Sequence, residues 1–279
     1  MRSLAGSIRH YDWGSTTALA RFRGVEDSGL PEAELWFDDP PGLPFLVKLL
    51  AVGRPLSLQA HPGVEAAKAG FAKEEAAGIA RDDPERSFPD DRAKPELVCA
   101  LGAFEALCGF RAVEEALEVA AAVGVPAEIM APLVERGSSG WPELFRAALR
   151  NDRIGAVEAL LRRCVAGVSG VWSETAALVV RLAERYSDDP ALLVVPLLRH
   201  HHLESGDALF VKAGVPHSYL KGMAVEVMPR SDNVCRGGLT SKHVDILGFA
   251  DVLELVAPLA VVQKADSPIH VYDGPAEGI

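Results

Sequence analysis

Short apolar stretches bounded by proline and glycine alternate with polar turns along residues 1–62. The segments AELWFDD and PFLVKLLAV are too short for buried helices and have the composition of buried strands. Apolar segments of the same kind return in PELVCALGAFEALCGFR and again from ALLVVPLL through MAVEVMP. We therefore expect strands at both ends of the chain.

A different pattern occupies residues 112–185, where apolar positions recur at intervals of three and four. The segments AVEEALEVAAAVG, WPELFRAALRNDRIGAVEALLRRCV and WSETAALVVRLAERY predict amphipathic helices separated by glycines. The Ala- and charge-rich segment that begins at Val64 predicts one more helix. The segment DILGFADVLELVAPLAVVQ predicts a helix followed by an extended exit.

The order of these elements predicts an antiparallel β domain with an inserted helical block, an α+β arrangement. We assign residues 1–111 and 205–260 to the β domain and residues 112–204 to a largely helical insertion. Residues 261–279 are interpreted as a truncated linker or exit segment. The alternating pattern of a doubly wound sheet is absent from the sequence, and so is a G-x-G-x-x-G motif.

Composition narrows the possible partners and the compartment. The net charge of −11 argues against nucleic acid or an anionic membrane as the main partner. The four cysteines form no C-x-x-C motif, so we expect reduced thiols and a cytoplasmic protein. We find no signal peptide and no apolar run of membrane-spanning length.

Polar residues two apart in strand-like segments suggest a site. Gln59 and His61 share one face of the strand predicted for PLSLQAHP, and Lys94 and Glu96 share one face in AKPELV. His217 follows a Gly–Pro turn at the start of another strand. Two imidazoles and one carboxylate, with the neutral oxygen of Gln59, are ligands suited to zinc with one position left open.

The segment RHHHLE also contains several histidines. Adjacent strand residues point to opposite faces, so only His200 and His202 could share a metal ion. We expect nothing else nearby to complete a ligand set with them, and we interpret this segment as a solvated strand end.

Several blocks of this sequence resemble the type I mannose-6-phosphate isomerases, or phosphomannose isomerases, which are zinc enzymes of the cupin fold. The blocks are YDWGS, AELWF, PFLVKLLAVGRPLSLQAHP, KPELVCALGAFEALCGFR and VPHSYLKGMAVEVMPRSDNVCRGGLTSKHVDI, and the resemblance spans about residues 8–255. It implies a cupin-type antiparallel jelly roll that binds one zinc ion through Gln59, His61, Glu96 and His217. The implied reaction interconverts mannose 6-phosphate and fructose 6-phosphate.

Such an isomerisation moves a proton between C1 and C2 of the open-chain sugar through an enediol or enediolate. The proton carrier must lie within reach of both carbons. Glu226, nine residues after His217, and Lys94, two before Glu96, are both candidates, and the sequence does not rank them. Arg236 is a permanently charged donor suited to an enediolate, although it could instead pair with Asp232.

The substrate phosphate is a dianion and needs cationic and hydroxyl partners in an acidic protein. Ser57 shares a strand face with Gln59, which supports a phosphate-binding role. Lys242 is assigned this role from the resemblance, and Lys48 is a weaker candidate because only its position in the sequence favours it.

The family usually has a second β domain after the position where this chain ends. The resemblance therefore implies that this C-terminal β domain is missing and that apolar surface is exposed. We expect the protein to be a monomer or a weak homo-oligomer. Any self-association should occur through the apolar surface that the missing domain would cover.

Two other functions remain compatible with the residues. A non-catalytic cupin module could bind a sugar phosphate for regulation, without needing a proton carrier. An iron-dependent cupin oxygenase would share the His and carboxylate ligands, although Gln59 and the isomerase-like blocks argue against it.

Overall fold

The computed structural model describes residues 6–37, 44–255, 262–265, 267 and 269–272. The strands in this part of the chain are β1 Ser7–Arg9, β2 Glu34–Phe37, β3 Phe45–Val52, β4 Leu58–Ala60, β5 Glu96–Ala100, β6 Phe104–Phe110, β7 Leu198–Leu203, β8 Ala208–Val211, β9 His217–Pro229, β10 Cys235–Gly238 and β11 Val262–Gln263. The helices are α1 Ala18–Arg23, α2 Val64–Ala76, α3 Val113–Val123, α4 Ala127–Arg136, α5 Trp141–Ala148, α6 Ile154–Val165, α7 Ser173–Ala183 and α8 Ile246–Asp251.

All the strand pairs are antiparallel, and they form two sheets that share β9. The larger sheet has the order β1-β2-β3-β9-β5-β8-β11. The smaller sheet has the order β10-β4-β9-β6-β7. The two inner faces enclose a core that includes Leu50, Val98 and Leu209 from the larger sheet and Ala106 and Cys108 from the smaller one. This two-sheet arrangement confirms the predicted antiparallel β architecture.

Strand β9 passes from one sheet to the other, and this crossing aligns the site. Its first residues pair with β4 and β6, and from Gly222 onward it pairs with β3 and β5. Between them, Lys221 and Tyr219 oppose adjacent residues of β6, so β9 has one extra residue there. A bulge of this kind changes which residues face inward. His217 and Glu226, which differ in odd–even position, are therefore both buried.

The helices between β6 and β7 cover the outer face of the smaller sheet. Their apolar faces pack with Leu58, Leu107, Leu220 and Cys235 in the largest hydrophobic cluster. Trp141 stacks on Phe110 with 4.4 Å between the ring centroids, which ties this helical layer to β6. Burial of this layer explains the three- and four-residue apolar periodicity of the sequence.

Two local predictions were wrong. Residues 1–62 were expected to contain only strands and turns, but Ala18–Arg23 form helix α1, which is too short for its periodicity to be recognised. Strand structure was expected to resume at ALLVVPLL, but Pro190–Leu193 and Val195–Leu197 are 3₁₀ turns and the strand begins at Leu198. Proline at the first or second position of each turn favours this conformation over a strand.

The predicted division into domains stays a prediction. The structure places β7 within the residues assigned to the insertion and β11 within the exit segment. Residues 256–261 and 273–279, which belong to the predicted β domain and exit, lie outside the described residues. Among the helices that the structure describes, none has the length and apolar character required to cross a membrane.

We predict that Gly222→Ala destabilises the protein by about 2 kcal/mol or more, because the backbone there has a conformation that disfavours a side chain. Gly222 has φ +116°, and an added Cβ would lie 2.5 Å from the Ala103 carbonyl oxygen. Denaturant unfolding measures the change. The control is Gly102→Ala, whose Cβ would meet nothing within 4 Å, and it should change stability by less than about 0.5 kcal/mol. Equal stability of the two variants would contradict this role of Gly222.

Candidate metal centre and cavity

The smaller sheet aligns three candidate residues on neighbouring strands. Gln59 of β4 lies opposite Arg236 of β10 on one side and opposite His217 of β9 on the other. Directly paired residues in antiparallel strands project to the same face of the sheet. The three side chains therefore form a row, although more than 150 positions separate the first from the others in the sequence.

Glu96 of β5 reaches this row from the larger sheet. One of its carboxylate oxygens lies 3.1 Å from Nε2 of His61, and the other lies 3.6 Å from Nε2 of His217. The possible ligand atoms of these three residues all lie within 4.8 Å of one another. Two imidazoles and a carboxylate thus converge at a single point, as a metal site requires.

The two imidazoles are held with Nε2 available for a cation. Nδ1 of His61 lies 2.8 Å from the Asn233 carbonyl oxygen, and Nδ1 of His217 lies 2.9 Å from the Val215 carbonyl oxygen. A carbonyl oxygen only accepts hydrogen bonds, so each Nδ1 must donate and each Nε2 carries a lone pair. Both Nε2 atoms are buried without a hydrogen-bond partner among the described residues. Two nitrogen lone pairs therefore face the Glu96 carboxylate, and a cation bound between them would interact favourably with all three groups.

Electrostatics keep these groups in the form that binds metal ions. Burial, and then the Lys94 ammonium, lower the pKa of His61 to about 4. Burial also lowers the pKa of His217. Burial alone would raise the pKa of Glu96, but His61 and Lys94 hold it well below its usual value. Neutral imidazoles beside an ionised carboxylate are the state that binds a divalent cation.

Neighbouring groups fix the position of the Glu96 carboxylate. The Lys94 ammonium lies 3.2 Å from one of its oxygens, and the Tyr219 hydroxyl donates to the other at 3.1 Å. Glu96 and Tyr219 are both nearly inaccessible to solvent. This support restricts the orientation of the carboxylate before any ligand binds.

A second set of hydrogen bonds fixes His61 through the loop that contains Asn233. The Asn233 side-chain amide donates to the backbone oxygens of Asp90 and Arg92 at 2.9 and 2.8 Å. Its own amide oxygen accepts from the Asp90 backbone at 3.1 Å. Asn233 is fully buried, so this loop can present its carbonyl oxygen to His61 at a defined position.

A cavity of about 610 Å³ opens beside this centre. Seven of the nine residues selected from the sequence line it, namely Ser57, Gln59, Lys94, Glu96, Glu226, Arg236 and Lys242. The other two, His61 and His217, are 1 % and 0 % exposed and contact the cavity residue Glu96. The structure thus brings all nine residues to one place, while their individual roles stay predictions.

Glu226 lies in the cavity wall beside Lys48. The Lys48 ammonium lies 3.4 Å from a Glu226 carboxylate oxygen and 4.7 Å from the centre of the Trp36 ring. Burial, and then repulsion from Glu96, raise the pKa of Glu226, while Lys48 opposes this shift. A carboxyl group with a raised pKa is suited to transferring protons near neutral pH.

Positive groups collect at another part of the cavity wall. No described carboxylate lies within ion-pair distance of Arg236 or Lys242, so the predicted alternative pairing of Arg236 with Asp232 is not found. Lys242 lies over the Tyr11 ring, 5.0 Å from its centre. Burial, and then the neighbouring Arg236, lower the pKa of Lys242. An anion bound here would relieve this repulsion.

The loop that leads to Lys242 is held by the helical layer. Leu239 is fully buried and has φ +53°, an uncommon value for a residue with a side chain. Its backbone NH donates to the Asp189 carboxylate at 2.5 Å, and the same carboxylate accepts from Ala191 at 2.9 Å. The structure therefore maintains a strained backbone beside the cavity, as is common where a site must be positioned.

Several contributors to this site were missed in the sequence. Tyr219 lies two residues after His217 on one strand, so the two-residue spacing that identified Gln59 and His61 could also have found it. Lys48 was considered only for phosphate, and its pairing with Glu226 depends on the register of β3 with β9. Asn233 acts through its backbone and its loop contacts, which no single-residue pattern indicates.

The expectation that nothing completes a ligand set with His200 and His202 was wrong. Glu174 of helix α7 lies beside both histidines, and possible ligand atoms of the three residues all lie within 4.8 Å of one another. The third residue comes from a different element 26 positions earlier than His200, so the sequence around the histidines could not reveal it.

The sequence of this chain is similar to those of known isomerases. Residues 37–113 match the family model for the catalytic domain of type I phosphomannose isomerase. The mannose-6-phosphate isomerase of Escherichia coli (strain K12) is 35 % identical over 88 % of this chain and 73 % of that protein. The mannose-6-phosphate isomerase of Rattus norvegicus is 32 % identical over 84 % of this chain and 59 % of that protein.

Solved structures give the same similarity in three dimensions. The apo form of mannose 6-phosphate isomerase from Salmonella typhimurium superposes with a TM-score of 0.80 and 33 % identity, covering 90 % of this chain and 73 % of that one. A zinc-bound mannose 6-phosphate isomerase gives a TM-score of 0.79 at 32 % identity, with coverage of 90 % and 73 %. The similarity in fold therefore extends over most of this chain.

Proposed function

Because this chain belongs to the type I phosphomannose isomerase family, we propose that it interconverts mannose 6-phosphate and fructose 6-phosphate with one zinc ion bound per chain. One observation carries the proposal. Two buried imidazole Nε2 atoms without hydrogen-bond partners among the described residues face the Glu96 carboxylate beside a large cavity. A non-catalytic sugar-phosphate-binding module is the second candidate, because its ligand set would be the same.

The chain's own residues fit a zinc ion. His61, His217 and Glu96 would bind it through two nitrogens and a carboxylate oxygen, and Gln59 would add its side-chain oxygen. The side-chain amide of Gln59 makes no hydrogen bond to the other described residues and lines the cavity, so its oxygen is available to a metal ion. A bound zinc ion would supply positive charge that stabilises negative charge developing on the sugar oxygens.

Glu226 is the better candidate for the proton carrier. Its carboxyl group lines the cavity, and its raised pKa favours proton exchange near neutral pH. In the aldose-to-ketose direction it would take the proton from C2 and return it to C1, while a hydroxyl proton passes from O2 to O1, so that the intermediate is an enediol or enediolate. Lys94 also lines the cavity, but its ammonium is 3.2 Å from Glu96, so we assign it to holding that carboxylate.

Arg236 would stabilise the negative charge of the intermediate. It lies directly across from Gln59 in the sheet, and no described carboxylate neutralises it. A guanidinium keeps its charge throughout the reaction and donates several hydrogen bonds in one plane. Arg236 therefore suits an enediolate oxygen or a neighbouring hydroxyl.

The phosphate would bind where the cavity carries cationic and hydroxyl groups. Lys242 and Ser57 both line the cavity, together with Arg185 from the segment after α7. Arg185 pairs with Asp12 at 2.5 Å, so Lys242 is the more available cation. Anchoring the phosphate at these groups would restrict the position of the open-chain sugar within the cavity.

We predict that the protein forms fructose 6-phosphate from mannose 6-phosphate and that removing zinc abolishes this activity. A coupled assay before and after dialysis against a chelator, and after zinc is restored, measures it. His217→Ala should lose both zinc and activity, because it removes one ligand. The control His243→Ala changes an exposed histidine and should keep both. Zinc and sugar phosphate bound without turnover would favour the binding module, and full activity after zinc removal would contradict the zinc assignment.

We predict that Glu226→Gln lowers kcat by about 10²- to 10⁴-fold, because it removes the proton carrier. Zinc content and KM should change little, since Glu226 is not in the ligand set. Incorporation of solvent deuterium into the sugar reports the proton transfer directly. Lys94→Met should mainly weaken zinc binding. If instead it abolishes deuterium exchange with zinc still bound, while Glu226→Gln retains exchange, Lys94 is the carrier.

We predict that Lys242→Ala raises the KM for mannose 6-phosphate by roughly 10- to 100-fold, as expected for the loss of a charged hydrogen bond. Inorganic phosphate should inhibit the variant correspondingly less, while kcat changes little. The control is Lys73→Ala on helix α2, an exposed lysine that does not line the cavity. Similar KM values for the two variants would place the phosphate elsewhere.

A further inference from the structure

A second group of side chains that could bind a metal ion lies on the other side of the smaller sheet from the cavity. Strand β7 is at the edge of that sheet, because β6 is its partner there among the described strands. His200 and His202 lie two apart on β7 and project to the same face. Glu174, in the first turn of helix α7, faces them.

The distances bring one carboxylate oxygen to both imidazoles. Oε1 of Glu174 lies 2.6 Å from Nε2 of His202 and 3.7 Å from Nδ1 of His200. The two imidazole rings lie 4.4 Å apart, measured between their centroids. Three possible metal-ligand atoms, two from strand β7 and one from helix α7, thus lie around one small volume where the sheet meets the helix.

His200 is oriented by a carboxylate on its far side. Its Nε2 lies 2.6 Å from Oε1 of Glu105, and Arg181 also hydrogen-bonds to that carboxylate oxygen. A carboxylate that is paired with the Arg181 guanidinium accepts hydrogen bonds. Nε2 of His200 therefore donates, and Nδ1 carries the lone pair. A histidine that donates to a carboxylate while its other nitrogen faces outward is typical of metal ligands.

The His200 nitrogen that faces Glu174 has no hydrogen-bond partner among the described residues. The side chain of His200 is only 9 % exposed, and Nδ1 lies too far from Glu174 for a hydrogen bond. Two imidazoles and a carboxylate again lie close together, as in the cavity centre, but here solvent reaches the cluster. The hydrogen bond between His202 and Glu174 does not involve this nitrogen, which is therefore available to a cation.

We propose that Glu174, His200 and His202 form a second binding site, for a borderline divalent cation such as zinc, cobalt or nickel. Two imidazole nitrogens and one carboxylate oxygen provide three ligands, and water completes the coordination because Glu174 and His202 are 66 % and 60 % exposed. The cation takes the place of the hydrogen bond between Nε2 of His202 and Glu174, and the displaced proton passes to Nδ1 of the same ring or to solvent. The site is independent of the proposed isomerase activity.

A cation there would clamp helix α7 to the edge of the smaller sheet. The residues that follow α7 include Arg185 and Tyr186, which line the cavity. Fixing the start of α7 therefore stabilises the helix that leads into the cavity wall. The bound state should unfold at a higher temperature, because the ligands separate when the protein unfolds.

The test is a titration of the purified holoenzyme with cobalt(II), measured by equilibrium dialysis and by thermal unfolding. We expect the wild-type protein to bind one additional ion per chain and to unfold at a higher temperature with it. His202→Ala should weaken this binding at least tenfold and remove the thermal shift, with isomerase activity unchanged. Glu174→Gln, which can still accept a hydrogen bond from His202, should weaken binding to a similar degree.

Two controls separate this site from the cavity centre. His217→Ala, which removes a ligand of the proposed zinc centre, should leave the second ion bound with unchanged affinity. His243→Ala, at an exposed position, should bind cobalt as the wild type does. The proposal is wrong if the wild type binds no additional ion, or if His202→Ala and Glu174→Gln bind it as tightly as the wild type. Neither result depends on whether the protein is an isomerase.

Discussion

The buried carboxylate of Glu96 is the constraint on which the rest of the site depends. A charge buried between two sheets is unfavourable unless other groups compensate it. Lys94 and Tyr219 provide part of this compensation, while His61 and His217 face the carboxylate with buried nitrogens that have no hydrogen-bond partner among the described residues. The protein therefore maintains a negative charge beside two unprotonated nitrogens, and a divalent cation resolves this arrangement. The stability and the chemistry of the centre follow from the same unfavourable interaction.

Strand β9 gives this carboxylate its partners. One strand carries His217 in the smaller sheet and Glu226 in the larger, and the extra residue before Gly222 makes both face inward. A straight strand would bury one and expose the other, because their positions differ by an odd number. The candidate ligand and the candidate proton carrier can therefore share one cavity only because the strand changes sheets between them.

The sequence revealed the residue types of the site better than their partners. Gln59 and His61, like Lys94 and Glu96, were found because the two-residue repeat of a strand is visible locally. That Gln59 lies between Arg236 and His217 depends on strand register, which local patterns do not encode. The antiparallel β domain and the helical layer were predictable from apolar patterns, whereas the jelly roll was implied only by the family resemblance.

The short helix α1 and the 3₁₀ turns around Pro190 and Pro196 were not predictable, since each has too few residues to show a period. The proposed ligand set at His200 was missed for a different reason. Its third member, Glu174, lies on a helix that packs against the sheet, and packing between elements leaves no spacing in the sequence. A polar cluster formed between a helix and a strand, such as Glu174 with His200 and His202, therefore becomes visible only in the folded structure.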